Sequence, residues 1–164
     1  MTTSSRVGLD GLDALPDADA QRALLACCTS PPWARSLAAG RPYHSVDQLL
    51  AAADAALDAL TESDVDAALA GHPRIGERGA GGDFSRQEQS GVDERSRAGL
   101  LAANQEYEER FGHVYLVCAA GRSGADLLAI LHGRLGNDAA TERRVLRDEL
   151  RKINRLRLRA LVGP

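Results

Sequence analysis

Leucine and alanine recur at helical spacing along almost the whole chain, and this recurrence limits what it can fold into. In the clearest run a Ser45-to-Gln48 capping signature precedes Leu49, Leu50, Ala53, Leu57 and Leu60, the pattern of an amphipathic helix. Aromatic residues are only 4% of the 164 positions, so leucine, alanine and valine must fill the core. The first two favour helix over strand. Further helices are expected from Leu9 to Cys27 with a break at Pro16, from Trp33 towards Ala39, and from the Thr61–Asp64 cap cluster through Leu69. A long helix is expected from about Phe84 to Arg110, interrupted near Gly91. Ser123 caps another to about Leu135, and Thr141 opens a last one to Leu161. Phe111 to Gly121 is apolar and β-branched enough for a buried extended segment, and a short buried helix is equally allowed. No repeat or second-domain boundary is visible. The expected architecture is all-α, a single-domain multi-helix bundle over residues 1–164.

A net charge of −3 argues against a polyanion-binding protein, so no nucleic-acid partner is expected. No apolar run approaches the roughly 18 to 20 residues of a membrane span. Met1 to Ala20 contain no apolar signal-peptide core. Cys27, Cys28 and Cys118 are odd in number, lack metal-ligand spacing and read as reduced thiols. A cytoplasmic location follows as an expectation.

Chemistry is sought first in the least helical stretch, Gly71 to Asp83, which holds five glycines and one proline. It carries His72, restricted to extended backbone by Pro73, and a held imidazole suits acid–base work near neutral pH. Taken alone, a lone His-Pro reads more simply as a helix C-cap. Ser85, Glu88 and Gln89 follow at i, i+3 and i+4, on one face of a helical turn. They can hydrogen-bond a ligand, and Ser85 with Glu88 also forms a plain capping box, the simpler reading from spacing alone. On the last helix Arg157 falls within an apolar stripe of Leu146, Leu150, Ile153 and Leu161. A guanidinium there needs an anion, either an internal carboxylate or that of a substrate. Asn104 and Glu108 are possible internal partners for it, on a structural face shared with Tyr107 and Phe111. Arg143, Arg144, Arg147, Arg151, Arg155 and Arg159 read as a solvated face. His44, His113 and His132 read as structural or solvated.

Two rivals fit the residues less well. A helical metalloenzyme built on His72, Glu77 and Glu88 lacks the paired Glu-x-x-His motifs such sites use, so no metal is expected. A helical binding module with the arginine-rich last helix as its contact surface leaves the His72 loop unexplained.

Five motifs in register carry a resemblance. GHPRIGE (Gly71–Glu77), SRQEQ (Ser85–Gln89), NQEYEERFG (Asn104–Gly112), YLVCAAGRS (Tyr115–Ser123) and KINRLRL (Lys152–Leu158) resemble the OHCU decarboxylase family, most of all its bacterial branch. The resemblance implies a helical homodimer without metal or organic cofactor. It implies decarboxylation of 2-oxo-4-hydroxy-4-carboxy-5-ureidoimidazoline to (S)-allantoin. His72 matches the catalytic histidine and Pro73 its neighbour in the pocket. Ser85, Glu88 and Gln89, with Arg86 and Gln87 between them, match the substrate-binding run, where Glu88 is given a catalytic part. Tyr115, Leu116, Val117, Cys118 and Ala119 match a segment whose backbone lines the pocket, and Arg157 matches the arginine of the last motif. Two departures stand out. The family often has Phe-Gly-Phe-Pro-Phe where this chain has Phe111-Gly112-His113-Val114-Tyr115, and the connection from Gln89 to Asn104 is shorter than in the animal branch.

Overall fold

A computed structural model describes residues 7–76 and 88–163, and the regular elements among them are all α-helical. They are α1 (Leu9–Ala14), α2 (Asp17–Cys27), α3 (Pro31–Ala39), α4 (Val46–Asp58), α5 (Glu62–Leu69), α6 (Glu94–Phe111), α7 (Gly124–Arg134) and α8 (Ala139–Val162). None is long and apolar enough to cross a membrane. The chain forms two compact units, one from the described residues up to Ala68 together with Arg151 onwards, the other Leu69–Leu150. The last helix therefore gives its first half to the second unit and its second half to the first.

In the first unit α2 packs on α3 and α3 on α4. Pro16 breaks the opening helix as expected, leaving α1 and α2 on either side. Arg41 closes the C-terminus of α1, its Nη1 donating to the Leu12 and Leu15 carbonyls at 2.8 and 2.7 Å. Trp33 is fully buried, and its indole N–H donates to the Ala53 carbonyl at 3.2 Å. Ser45 caps α4 by accepting the Gln48 N–H at 3.1 Å, while the Gln48 side chain takes the His44 N–H rather than that of Ser45. Thr61 and Asp64 make the reciprocal bonds of a full capping box on α5. Arg151 and Arg155, expected on a solvated face, pair with Asp58 and Asp54 of α4, both at 2.7 Å. On this half of α8, Ile153, Arg157, Leu158 and Val162 are buried, so Leu158 takes the inner place expected for Leu161.

The second unit packs α6 on α7 around Ile75, Leu100, Ala103, Tyr107, Tyr115, Val117, Leu127 and Leu131. The interruption expected near Gly91 is present: Glu88 is helical, and the long helix resumes at Glu94. Residues from Gln89 to Gly91 form a turn, and Asp93 supplies the N-cap, accepting the Ser96 N–H at 3.0 Å. The turn is held by the Gly124 N–H donating to the Gly91 carbonyl at 3.2 Å. A Cβ on Gly91 would meet the Arg122 carbonyl oxygen at 2.2 Å, so the close approach requires glycine. Ser123 and Asp126 cap α7 reciprocally, as the sequence suggested. Between α6 and α7, residues 114–119 form an irregular segment, neither helix nor strand.

That segment is anchored by a charge cluster the sequence did not announce. Glu142, fully buried, receives Arg134 Nε at 2.8 Å, a second nitrogen of the same guanidinium, and the Tyr107 hydroxyl. Asn137 donates to its other oxygen at 3.1 Å. The remaining arm of Arg134 donates to the Leu116 carbonyl at 2.6 Å. Burial works against the Arg134 charge, but the hydrogen bond and charge of Glu142 outweigh it and hold the pKa above the ordinary value. Burial first, then the bond to Glu142, pushes the Tyr107 phenol far above its usual range.

Removing one member of such a pair leaves the other buried and uncompensated. Arg134→Met is expected to lower unfolding free energy by about 3–5 kcal/mol, and pairing it with Glu142→Leu to recover a large part. Urea denaturation of the two variants, at unchanged m-value, measures this. A single-variant loss below about 1 kcal/mol would contradict the anchoring role.

Candidate functional site

The Gly-rich loop after α5 and the turn after α6 border an open cleft of about 440 Å³ in the second unit. It is lined by Leu69, Ala70, His72, Pro73 and Arg74 from the first stretch, and by Glu108, Gly112, His113 and Val114 from the second. The two stretches are brought together because Gly112 ends α6, its N–H donating to the Glu108 carbonyl at 2.8 Å. The chain then turns into the irregular segment held by Arg134.

His72 both closes a helix end and borders the cleft. Its backbone N–H donates to the Leu69 carbonyl at 3.0 Å and closes the C-terminal turn of α5. Its half-buried imidazole lines the cleft beside Pro73. Arg74 lines it too and forks onto Glu108, Nε to one carboxylate oxygen at 2.7 Å and Nη2 to the other at 3.2 Å. With the arginine side chain half exposed, the pair contributes about 0.2–1 kcal/mol. Its consequence is geometric, since it ties the His72 loop to α6.

Ile75 and Gly76, which follow in the loop, are pinned from both sides. Gly76 donates its N–H to Gln89 Oε1 at 3.0 Å, and its carbonyl accepts from Arg97. Asn104 Nδ2 donates to the neighbouring Ile75 carbonyl at 2.8 Å. Gly76 has φ +89°, a conformation that needs glycine. Asn104 and Glu108, weighed as partners for Arg157, are thus engaged by Ile75 and Arg74.

The other expected site residues stand as follows. Ser85, Arg86 and Gln87 lie outside the described residues, as does Glu77. Glu88 and Gln89 are half-buried and do not border the cleft. Neither do Tyr115 to Ala119, of which Tyr115, Leu116, Val117 and Ala119 are buried in the core and Cys118 is half-buried. Tyr115 donates its hydroxyl to the Leu127 carbonyl at 3.1 Å. Arg157, in the first unit, is buried and donates to the Cys27 carbonyl at 3.2 Å. Near it, burial pushes the Cys27 thiol up to about 12 and the Cys28 thiol up to about 11, so both are inert. Arg74, Glu108, His113 and Val114 were not expected in a site. Adjacency to His72-Pro73 was a signal for Arg74, and a shared helical face for Glu108. Among the described residues no three His, Cys, Asp or Glu side chains converge on a point that could hold a metal.

The cleft joins an acid–base imidazole to an arginine–carboxylate pair and a short apolar wall. It suits a small polar ligand.

Comparison with known proteins bears on which ligand. Residues 13–159 match the family model described as OHCU decarboxylase. The chain is 30% identical over 141 residues to the 2-oxo-4-hydroxy-4-carboxy-5-ureidoimidazoline decarboxylase of Amia calva, covering 80% of this chain and 81% of that one. It is 31% identical over 133 residues to the protein of the same name from Haloferax volcanii, covering 77% and 79%. A crystal structure of OHCU decarboxylase in the presence of (S)-allantoin superposes with a TM-score of 0.78 at 22% identity, covering 92% of this chain and all of the other, which shows the shared fold.

Gln89 can be tested for its part in the loop apart from any ligand. Gln89→Leu removes the acceptor of a buried N–H and is expected to cost about 1–3 kcal/mol of unfolding free energy. Gln89→Glu keeps an acceptor oxygen and should stay within about 1 kcal/mol of the parent in the same urea titration. Equal losses in both would remove the hydrogen bond to Gly76 as the cause.

Proposed function

Because the chain belongs to the OHCU decarboxylase family, we propose that it decarboxylates 2-oxo-4-hydroxy-4-carboxy-5-ureidoimidazoline to (S)-allantoin, the last step of urate oxidation, with His72 as its acid. The observation that carries the assignment to this site is the His72 imidazole on the wall of a cleft of about 440 Å³, held there by its own backbone turn and the adjoining Pro73. The matched residues, 13–159, run through both compact units, which supports one functional domain.

The substrate explains why side chains suffice. Its carboxylate sits on a hydroxyl-bearing carbon next to a C=N group, which is an electron sink within the substrate itself. As the C–COO⁻ bond breaks and CO2 leaves, its electron pair moves towards the imine nitrogen, which takes a proton. An enol-like intermediate remains. Its hydroxyl gives up a proton while the ureido-bearing carbon gains one, and delivery to a single face gives a single enantiomer. His72 is assigned that delivery, since an imidazole exchanges protons near neutral pH. Glu88, which is half-buried and stands off the cleft's described lining, is assigned the substrate hydroxyl on the resemblance alone, orienting the carboxylate so that its breaking bond overlaps the sink. Ser85, Arg86, Gln87 and Gln89 and the backbone of Tyr115 to Ala119 are proposed to bind the ring and ureido groups, as the resemblance implies. Arg157, bonded to the Cys27 carbonyl, is read as a supporting cation. Firm binding of the departing carboxylate by an arginine would also stabilise the ground state and slow its loss. We further propose a cytoplasmic homodimer.

The test follows (S)-allantoin by circular dichroism while uricase and hydroxyisourate hydrolase generate the substrate from urate. The wild-type chain is expected to speed appearance of the signal well beyond spontaneous decay. His72→Asn is expected to lower kcat by at least about 10²-fold while keeping the helical far-UV spectrum. A near-normal rate in that variant removes His72 from the mechanism, and no acceleration by the wild type removes this substrate.

A further inference from the structure

We propose that His113 is a specificity-determining residue whose imidazole Nε2 accepts a hydrogen bond from an N–H of the substrate's ureido or ring amide group. The inference rests on the decarboxylase reading above and adds to it a contact that the family resemblance does not assign.

His113 borders the same cleft as His72. Its Nδ1 lies 3.2 Å from the Val114 carbonyl oxygen. A carbonyl oxygen only accepts, so Nδ1 carries a proton, and in the neutral ring Nε2 then holds the lone pair. The ring is fixed in place. It stacks on Phe111 with centroids 6.2 Å apart and planes 26° apart, and meets Tyr107 edge-on at 5.6 Å and 68°. Tyr107 is in turn fully buried and bound to Glu142. Orientation of the imidazole is therefore set from the core. With Nδ1 engaged on the backbone, Nε2 is the polar atom left for the space that the ring borders.

The donor and acceptor inventory of the cleft shows why such an atom matters. A ureidoimidazoline carries several N–H groups and needs acceptors. Arg74 supplies donors alone. Both oxygens of Glu108 are taken by Arg74. His72 is assigned to proton delivery. Among the remaining lining residues, Leu69, Ala70, Pro73, Gly112 and Val114 have no polar side-chain atom. Among the described residues that border the cleft, His113 is thus the side chain that can accept from an N–H without disturbing the ion pair or the acid. A phenylalanine at this position, as the family often has, fills the same wall and accepts nothing.

Three variants of the full chain test the contact in the dichroism assay, each first checked by thermal melting. His113→Phe removes the acceptor and keeps the ring. His113→Asn places an amide near Nδ1 alone, and His113→Gln carries an amide oxygen out to where Nε2 lies. For one lost hydrogen bond, KM is expected to rise about tenfold in Phe and Asn with kcat within about twofold, while Gln stays within about threefold of the parent. Calorimetric titration of allantoin should weaken in the same order. An active wild type whose KM is unmoved by His113→Phe overturns the inference and leaves the decarboxylase reading standing. A fall in kcat at constant KM also overturns it, since that would place His113 in the chemistry. A wild type that does not turn over this substrate overturns both.

Discussion

The contact between Arg134 and Glu142 is the interaction on which the second unit depends. A carboxylate with no exposed surface, met by two guanidinium nitrogens, a phenol and an amide, is tolerable only because both of its oxygens find donors. The same arginine reaches the Leu116 carbonyl, so one buried charge network joins α6, α7, the start of α8 and the irregular segment between α6 and α7. Backbone with no ladder of its own needs such partners, because a buried carbonyl left unmet is costly.

From that anchor the order of the cleft can be followed outwards. Tyr107, fixed by Glu142, packs against Phe111, His113 and Tyr115 at centroid distances of 4.7, 5.6 and 5.4 Å. Those rings set the turn after α6, which forms one wall of the cleft. The opposite wall hangs on weaker but more numerous ties: Arg74 to Glu108, Gly76 to Gln89 and Arg97, and Asn104 to Ile75. A Gly-rich loop has much backbone freedom to lose, and several fixed hydrogen bonds on adjacent residues are what hold its histidine in one place. Preorganisation of this kind lets a side chain act without the cost of reorganising during the reaction.

The first unit uses different means for a similar end. Arg41 bonds two carbonyls at the end of α1 and the Ala38 carbonyl in the last turn of α3, and Val7 and Gly8 donate to the Leu161 carbonyl at the far end of α8. Arginines that looked like a solvated face serve partly as cross-ties, Arg155 gripping Asp54 with two nitrogens and Arg151 meeting Asp58. The mean spacing of charges along one helix does not reveal this. Their partners lie about a hundred residues away in sequence.

Local rules decided the helices. Pro16, Ser30, Ser45, Thr61 and Ser123 each break or cap a helix through bonds to residues at most four positions away, so their effect is legible in order of sequence. The family, too, was legible, because its motifs keep their order along the chain. The break near Gly91 was legible too, although the Arg122 backbone that lies against it is a distant partner, whereas the pairing of Arg134 with Glu142 was not, because nothing local marks two charges on separate helices as buried partners. His72 and Pro73 were recognisable from the loop that carries them. That Arg74, Glu108 and His113 share their cleft is a fact of how α6 and the following turn fold back on that loop, since burial and ion pairing depend on separation in space and not along the chain.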